Sequence, residues 1–200
     1  MVAEQIRARG IRDQRVLEAM QRVPREQFIP EAWRAEAYED HPVPIGHSQT
    51  ISQPYVVAYM TEALKLEPAH RVLEIGTGCG YQTAVLAELV AVVYSIEVIP
   101  ELADRARRAI EALNYTNVHI RDGDGYAGWP EHAPYDRIIG AAAAASIPAA
   151  LIEQLADGGI LVMPIGTAHQ ELQVVRKRGT AIETLATLPV RFVPMVKPIG

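Results

Sequence analysis

The chain has 200 residues, 49% of them hydrophobic, enough to bury a full core in one compact unit. Its formal net charge is −5 and its 19 basic residues are scattered, which argues against a nucleic-acid groove. A single cysteine, Cys79, excludes an internal disulfide, and the charged start and lack of any apolar run of spanning length predict a cytoplasmic protein free of membranes.

From the N-terminus, residues 11–23 place Val16, Leu17, Met20 and Val23 on one helical face before Pro24 stops the helix. A second short helical piece is expected over 31–38. Residues 38–54 then lose all periodicity and hold three prolines and a glycine. A loop this long inside a compact unit is usually functional or disordered, and its apolar Val43, Ile45 and Ile51 argue against disorder. Residues 53–66 read as a helix with Pro54 in its first turn and Val56, Val57, Met60 and Leu64 buried, which puts Ser52 at the N-cap. A serine there caps the helix. The same hydroxyl, beside unpaired amide N–H groups, is also placed to hold a substrate carboxylate.

Residues 71–75 form a short apolar strand, Gly76, Gly78 and Gly80 follow at every second position, and Ala84, Leu86 and Leu89 recur at helical spacing. This is a strand, a tight turn and a helix. Glycines let the backbone take positive φ and let a ligand approach with no Cβ in the way. The helix start near Gly80 favours an anionic group. The turn reads G-x-G-x-G with Glu74 two residues before it, whereas a dinucleotide fingerprint reads G-x-G-x-x-G; the departure favours S-adenosylmethionine over a nicotinamide cofactor.

Residues 91–96 are a second strand ending in Glu97, 21 residues after Gly76, about where doubly wound nucleotide folds place the acid that receives ribose hydroxyls. Pro100 opens a helix through Leu113, with Asn114 as its C-cap. After a third strand over 118–120 comes an Asp-Gly repeat, a turn in which Asp124 is placed to accept from an adenine amino group. Residues 135–139 supply a fourth strand, and Gly140 with five alanines leaves its carboxyl end free of bulk. Ser146 caps and Pro148 opens a helix ending at Asp157-Gly158-Gly159, and 160–163 is strand five. The remainder alternates on both sides of Arg178-Gly179, an antiparallel hairpin at a sheet edge. The whole predicts one α/β domain with a Rossmann-like, doubly wound and mostly parallel sheet. The N-terminal helices and the loop occupy 1–66, and the cofactor-binding sheet 67–200.

The chain resembles a known family in its segments VPIGHSQTISQPYVVAYMTE (43–62), LEIGTGCGYQTAVLA (73–87), GDGYAGWPEHAPYDRII (123–139), LADGGILVMPIG (155–166) and RFVPMV (191–196). With VLEAMQRVPREQFIPEAWRAEAYED (16–40), these are similar to protein-L-isoaspartate O-methyltransferases over nearly the whole chain. The glycine turn is shared by many methyltransferases; QTISQP is far more specific.

The resemblance implies a class I S-adenosylmethionine-dependent methyltransferase. It moves a methyl group to the α-carboxylate of L-isoaspartyl residues in damaged peptides and proteins, leaving S-adenosylhomocysteine. The ester then closes to a succinimide, which opens partly to normal aspartate. Carried over, Ser52 is the active-site residue, with Thr50, Ile51, Pro54 and His47 around the substrate. Glu74, Gly76, Thr77, Gly78, Cys79 and Gly80 hold the methionine end of the cofactor, Glu97 and Val98 the ribose, and Asp124 with Gly125 the adenine. Ile45, Gly46 and Ser48 close over the site. A monomer acting without nucleic acid is expected. Ala145-Ser146 departs from the Pro-Glu more common in the family, and this leaves the loop after strand four open.

A carboxylate with a pKa near 4 is ionised at neutral pH, so the acceptor needs no general base. The six histidines, at 41, 47, 70, 119, 132 and 169, show no metal-ligand spacing, and no metal is assigned. A nicotinamide oxidoreductase would use the same sheet with wider glycine spacing. A non-catalytic S-adenosylmethionine sensor would bind cofactor and transfer nothing.

Overall fold

A run of continuously apolar segments sets the middle of the sheet. In the computed structural model, which describes residues 1–197, these become strands buried on both faces, as parallel sheets require. Ahead of them, a single π-helical turn at Val2–Ile6 and a 3-10 turn at Arg7–Arg9 precede α1 (Gln14–Arg22). Asp13 caps α1 by accepting from the Arg15 and Val16 N–H groups, and Val16, Leu17 and Met20 are buried as the periodicity demands. The expected helical piece over 31–38 is a 3-10 segment, Glu31–Glu36.

The aperiodic stretch after it contains a small antiparallel hairpin, β1 (Val43–Gly46) and β2 (Gln49–Ile51), where only a loop was expected. Next comes α2 (Pro54–Ala63). Its N-cap is Gln53, not Ser52, and no side chain caps it. The correction has a steric cause: a residue before proline is pushed out of the helical region, so with Pro54 at the first helical position the chain turns helical only after Gln53.

The main sheet comprises β3 (Arg71–Ile75), β4 (Val92–Glu97), β5 (Val118–Asp122), β6 (Tyr135–Gly140), β7 (Leu155–Gly166), β8 (Gln170–Arg178) and β9 (Ala181–Val190). Its order is β5-β4-β3-β6-β7-β8-β9. The first five positions pair in parallel, and β7-β8-β9 form the expected antiparallel edge, extended by one strand. The order reverses between β3 and β6, so a crevice opens at their carboxyl ends. Along β3, Val72 and Leu73 point to opposite faces. One face packs the N-terminal turns, α1, α2, α3 (Tyr81–Ala87) and α4 (Pro100–Ala112); the other packs α5 (Ala149–Gln154) and the chain near Tyr126 and Trp129.

At the end of α4, Asn114 adopts φ 61°, its N–H reaches the Glu111 carbonyl and the Tyr115 N–H reaches that of Ile110. This is a Schellman closure, made by asparagine. Two expectations around α5 fail. Ser146 is exposed and caps nothing, because the helix starts only after Pro148. The Asp157-Gly158-Gly159 step lies inside β7, not at a helix end: pairing with β6 jumps from Tyr135 with Leu155 to Arg137 with Ile160, so the extra residues form a bulge. The carbonyls of Ile152, Glu153 and Leu155 are met instead by Lys177 Nζ, at 2.7, 3.2 and 2.6 Å.

Candidate active site

The glycine turn sits in the crevice beyond β3. Its N–H groups at Gly76 and Thr77 both reach the Ile96 carbonyl, at 2.8 and 3.3 Å, which pins the turn to β4. Gly76, Gly78 and Gly80 all have positive φ, at 89, 58 and 91°. At Gly78 the position of a Cβ meets only Ile45 Cδ1, at 3.5 Å, so the backbone here faces open space under the hairpin. Gly80 serves packing, since its Cβ would stand 3.2 Å from the Ala106 Cβ on α4.

Glu97 closes the turn from the side. Its Oε2 accepts the Gly78 N–H at 2.7 Å and its Oε1 accepts those of Val98 and Ile99 at 3.0 Å. Behind the turn, Glu74 is wholly buried and receives hydroxyl donors from Thr83 and Ser95 on one oxygen, at 2.5 and 2.6 Å. Its other oxygen, Oε1, has no partner among the described residues. Burial pushes its pKa up to about 7, against the two hydroxyl bonds. Thr77 Oγ1 joins the same chain through Ser95 Oγ, at 2.5 Å. Burial also raises the Cys79 thiol, so it presents a neutral, inert surface.

Across the crevice lies the hairpin. Thr50, Ile51 and Ser52 leave β2 along its rim, facing Ala141 and Ala142 and the tail segment 193–196. That tail is held on the segment just after β6 by the Ala143 N–H to the Val193 carbonyl and the Met195 N–H to the Ala143 carbonyl, both 2.8 Å. A second groove begins on the far side of the rim between Gln53, Val56, Arg191 and Phe192. Thr50, Ser52, Ala141 and Val193 line both.

The comparisons with known proteins agree over the full length. A sequence model of the family described as protein-L-isoaspartate(D-aspartate) O-methyltransferase (PCMT) matches residues 1–199. The chain belongs to this family. It is 54% identical over 199 residues to the protein-L-isoaspartate O-methyltransferase of Gloeobacter violaceus, covering 98% of this chain and 97% of that one. It is 56% identical to protein-L-isoaspartate O-methyltransferase 2 of Marinobacter nauticus, covering 100% and 93%. A solved protein-L-isoaspartate O-methyltransferase superposes with TM-score 0.89 at 29% identity, over 97% of this chain and 65% of that one. A Plasmodium falciparum structure described as a beta-aspartate methyltransferase in complex with S-adenosyl-L-homocysteine gives 0.84 at 28% identity, over 98% and 97%. The protein is therefore an S-adenosylmethionine-dependent enzyme that methylates the α-carboxylate of L-isoaspartyl residues in proteins and peptides, the first step of their repair.

Of the residues expected at a methyltransferase site, the crevice brings together Ile45, Thr50, Ile51, Ser52, Gly76, Thr77, Gly78, Cys79, Glu97, Val98 and Gly125. It does not include the others. Gly46, His47 and Ser48 are exposed at the hairpin turn, and Pro54 is buried in the first turn of α2. Glu74 and Gly80 sit behind the turn. Asp124 Oδ1 accepts the Tyr126 N–H at 2.9 Å, while Gly125 lies where a Cβ would strike Ile75 and Met195. Sequence reasoning missed Met60, Tyr81, Gln82 and the 193–196 segment, while the room it read at the alanine run is where Ala141 and Ala142 line the crevice. The alanine run was the one signal for a wall of small residues. Nothing local marks the tail, whose place depends on a bridge to Ala143. Among the described residues no group of three potential metal ligands occurs, and no helix is long and apolar enough to cross a membrane.

Proposed function

We propose that S-adenosylmethionine and the isoaspartyl carboxylate meet in the crevice between the glycine turn and Ser52. The observation that carries this reading is that Ser52 lines both the crevice over the glycine turn and the neighbouring groove between Gln53 and Phe192. The cofactor takes the first, which the glycine turn and Glu97 line, and the peptide the second.

The residues fit the cofactor. The positive-φ backbone at Gly78 leaves clear the space that a Cβ would fill, and Glu97 fixes that backbone through its N–H. We assign Gly76, Thr77, Gly78 and Cys79 to the methionine end, Glu97 and Val98 to the ribose, and Asp124 with Gly125 to the adenine. Glu74 and Gly80 shape the turn from behind. Ile45, Gly46 and Ser48 cover the site from the hairpin. Thr50, Ile51, Ser52 and His47 face the acceptor, and Pro54 fixes where α2 begins beneath it. Bound S-adenosylmethionine supplies a methyl group on a positively charged sulfur. The chain's own work is to hold an already ionised carboxylate in line at about 3 Å and to exclude water. The apolar walls from Ile45, Met60 and Leu102 suit the second task.

We further propose that residues 1–197 act as one domain, with the remaining three of the expected 67–200 portion outside the described residues. It works in the cytoplasm as a monomer and without nucleic acid, in keeping with a net charge of −5 and no basic stripe. The test of function is methyl transfer to a synthetic isoaspartyl peptide beside its aspartyl twin. Transfer to the first alone is expected. Equal transfer to both, or to neither, would sink the reading.

A further inference from the structure

Arg25 is a fully buried charged side chain that the glycine turn and the rim residues do not account for. It lies in the 3-10 turn Arg25–Phe28, just after Pro24. Its Nε donates to the Ala37 carbonyl at 2.7 Å and its Nη2 to the Ser52 carbonyl at 2.8 Å. Its Cζ stands 4.8 Å from the centroid of the Tyr81 ring, which Phe28 meets edge-on at 5.6 Å. Its Nη1 has no partner among the described residues. Removing a guanidinium from water while leaving one nitrogen unsatisfied is destabilising, and an apolar side chain of similar volume would serve packing better.

What the guanidinium contacts gives it a use. Ala37 and Ser52 bound the stretch that carries the β1–β2 hairpin, so a single planar group closes that stretch at its base. Tyr81 is the first residue of α3, directly after the glycine turn, and it lines the crevice. The rigid fork therefore ties the acceptor rim to the element that carries the donor turn. A lysine in its place would present one point charge and could not fix two carbonyls at once.

We propose that Arg25 is a positioning residue for methyl transfer, setting the Ser52 peptide against the glycine turn so that acceptor and donor are held in register. The proposal rests on the reading of Ser52 as the acceptor-side residue. A misplacement of about 1 Å at a reacting centre lowers rate by on the order of a hundredfold, and a carbonyl released from a fork has at least that freedom.

The test compares wild type, Arg25→Lys, Ser52→Gly and the double variant, by kcat and KM on an isoaspartyl peptide and by calorimetric affinity for S-adenosylhomocysteine. Arg25→Lys is expected to lower kcat about tenfold to a hundredfold. Its affinity for S-adenosylhomocysteine should stay within about twofold, and in the Ser52→Gly background it should lower kcat by no more than about twofold further, because coupled residues are not additive. Wild-type kcat in Arg25→Lys would overturn the proposal. So would an equal loss in both backgrounds, or a loss of kcat matched by a loss of affinity, since either marks a general structural role. If the lysine variant does not fold, Arg25→Gln, which keeps a planar amide donor, is judged by the same criteria; failure of both to fold assigns Arg25 to folding alone. Undiminished turnover in Ser52→Gly would overturn the reading of Ser52 itself, separately from any result at Arg25.

Discussion

Ser52 and Glu97 sit on opposite sides of the crevice and differ in how the protein holds them. The Ser52 hydroxyl has no hydrogen-bond partner among the described residues, and the helix after it is capped at Gln53 without help from a side chain. Ser52→Ala should therefore leave stability within about 0.5 kcal/mol, where the loss of a true cap costs about 0.5 to 2. If the hydroxyl orients the substrate, kcat should fall on the order of a hundredfold with S-adenosylhomocysteine binding intact. Thermal melts and steady-state kinetics on the same preparation separate the two quantities; a normal kcat would remove Ser52 from the chemistry. Glu97 is the reverse case, with both oxygens already taken by three backbone N–H groups. Glu97→Gln turns an NH2 toward one of those donors. It should weaken S-adenosylhomocysteine binding by about 1.5 to 3 kcal/mol and lower the melting temperature as well. A change in calorimetric affinity of only a few tenths would leave Glu97 the structural role of holding the turn and no part in binding.

The element that decides access to the crevice is the β1–β2 hairpin. Arg105 on α4 reaches across to it, donating from Nη2 to the Ile45 carbonyl at 2.6 Å, and Ile45 in turn covers Gly78. Arg105→Gln should release this tip. The expected outcome is faster amide hydrogen exchange over 43–51 and dissociation of S-adenosylhomocysteine faster by about fivefold, the loss of one hydrogen bond of roughly 1 kcal/mol. Unchanged exchange would mean that the hairpin is held elsewhere. This element was hard to read. Val43 and Ile45 do alternate inward, but prolines at 42 and 44 mask the strand, and its turn places His47 and Ser48 at φ 52 and 57° where asparagine or glycine would announce it. The central strands and the glycine turn were legible because their burial comes from continuous apolar runs and their geometry from glycine. The bulge in β7 was not, since Asp-Gly-Gly also writes a helix stop, and the Lys177 cap that makes such a stop unnecessary comes from a strand two elements away. Legibility thus fell where the signal was tertiary: the tail bridged to Ala143, the fork of Arg25, the reach of Arg105.

At the scale of the whole molecule, the sheet has a different packed layer on each face, and Glu74 is buried on β3, the middle one of the five parallel strands. Its carboxyl has a pKa of about 7, against an ordinary 4.5, with desolvation as the largest cause and the charge of Glu97 adding to it. A raised acid pKa means that folding favours the protonated form. Below about pH 4.5 both folded and unfolded chains carry the proton and the group is neutral to stability; as pH rises toward 7 the unfolded chain ionises freely and the folded chain does not. Stability is therefore lost across that window, by an amount of order 3 kcal/mol, and is not regained above it. Glu74→Gln keeps an acceptor for Thr83 and Ser95 and abolishes the titration. The variant should melt higher than wild type at pH 8, by about 2 to 4 °C for each kcal/mol recovered, and the gap should close as pH falls toward 5. A gap that is constant with pH would show that Glu74 is ionised or neutral alike in both states. A variant that melts lower at pH 8 would show that the carboxylate, buried beside the turn, stabilises the fold in its charged form.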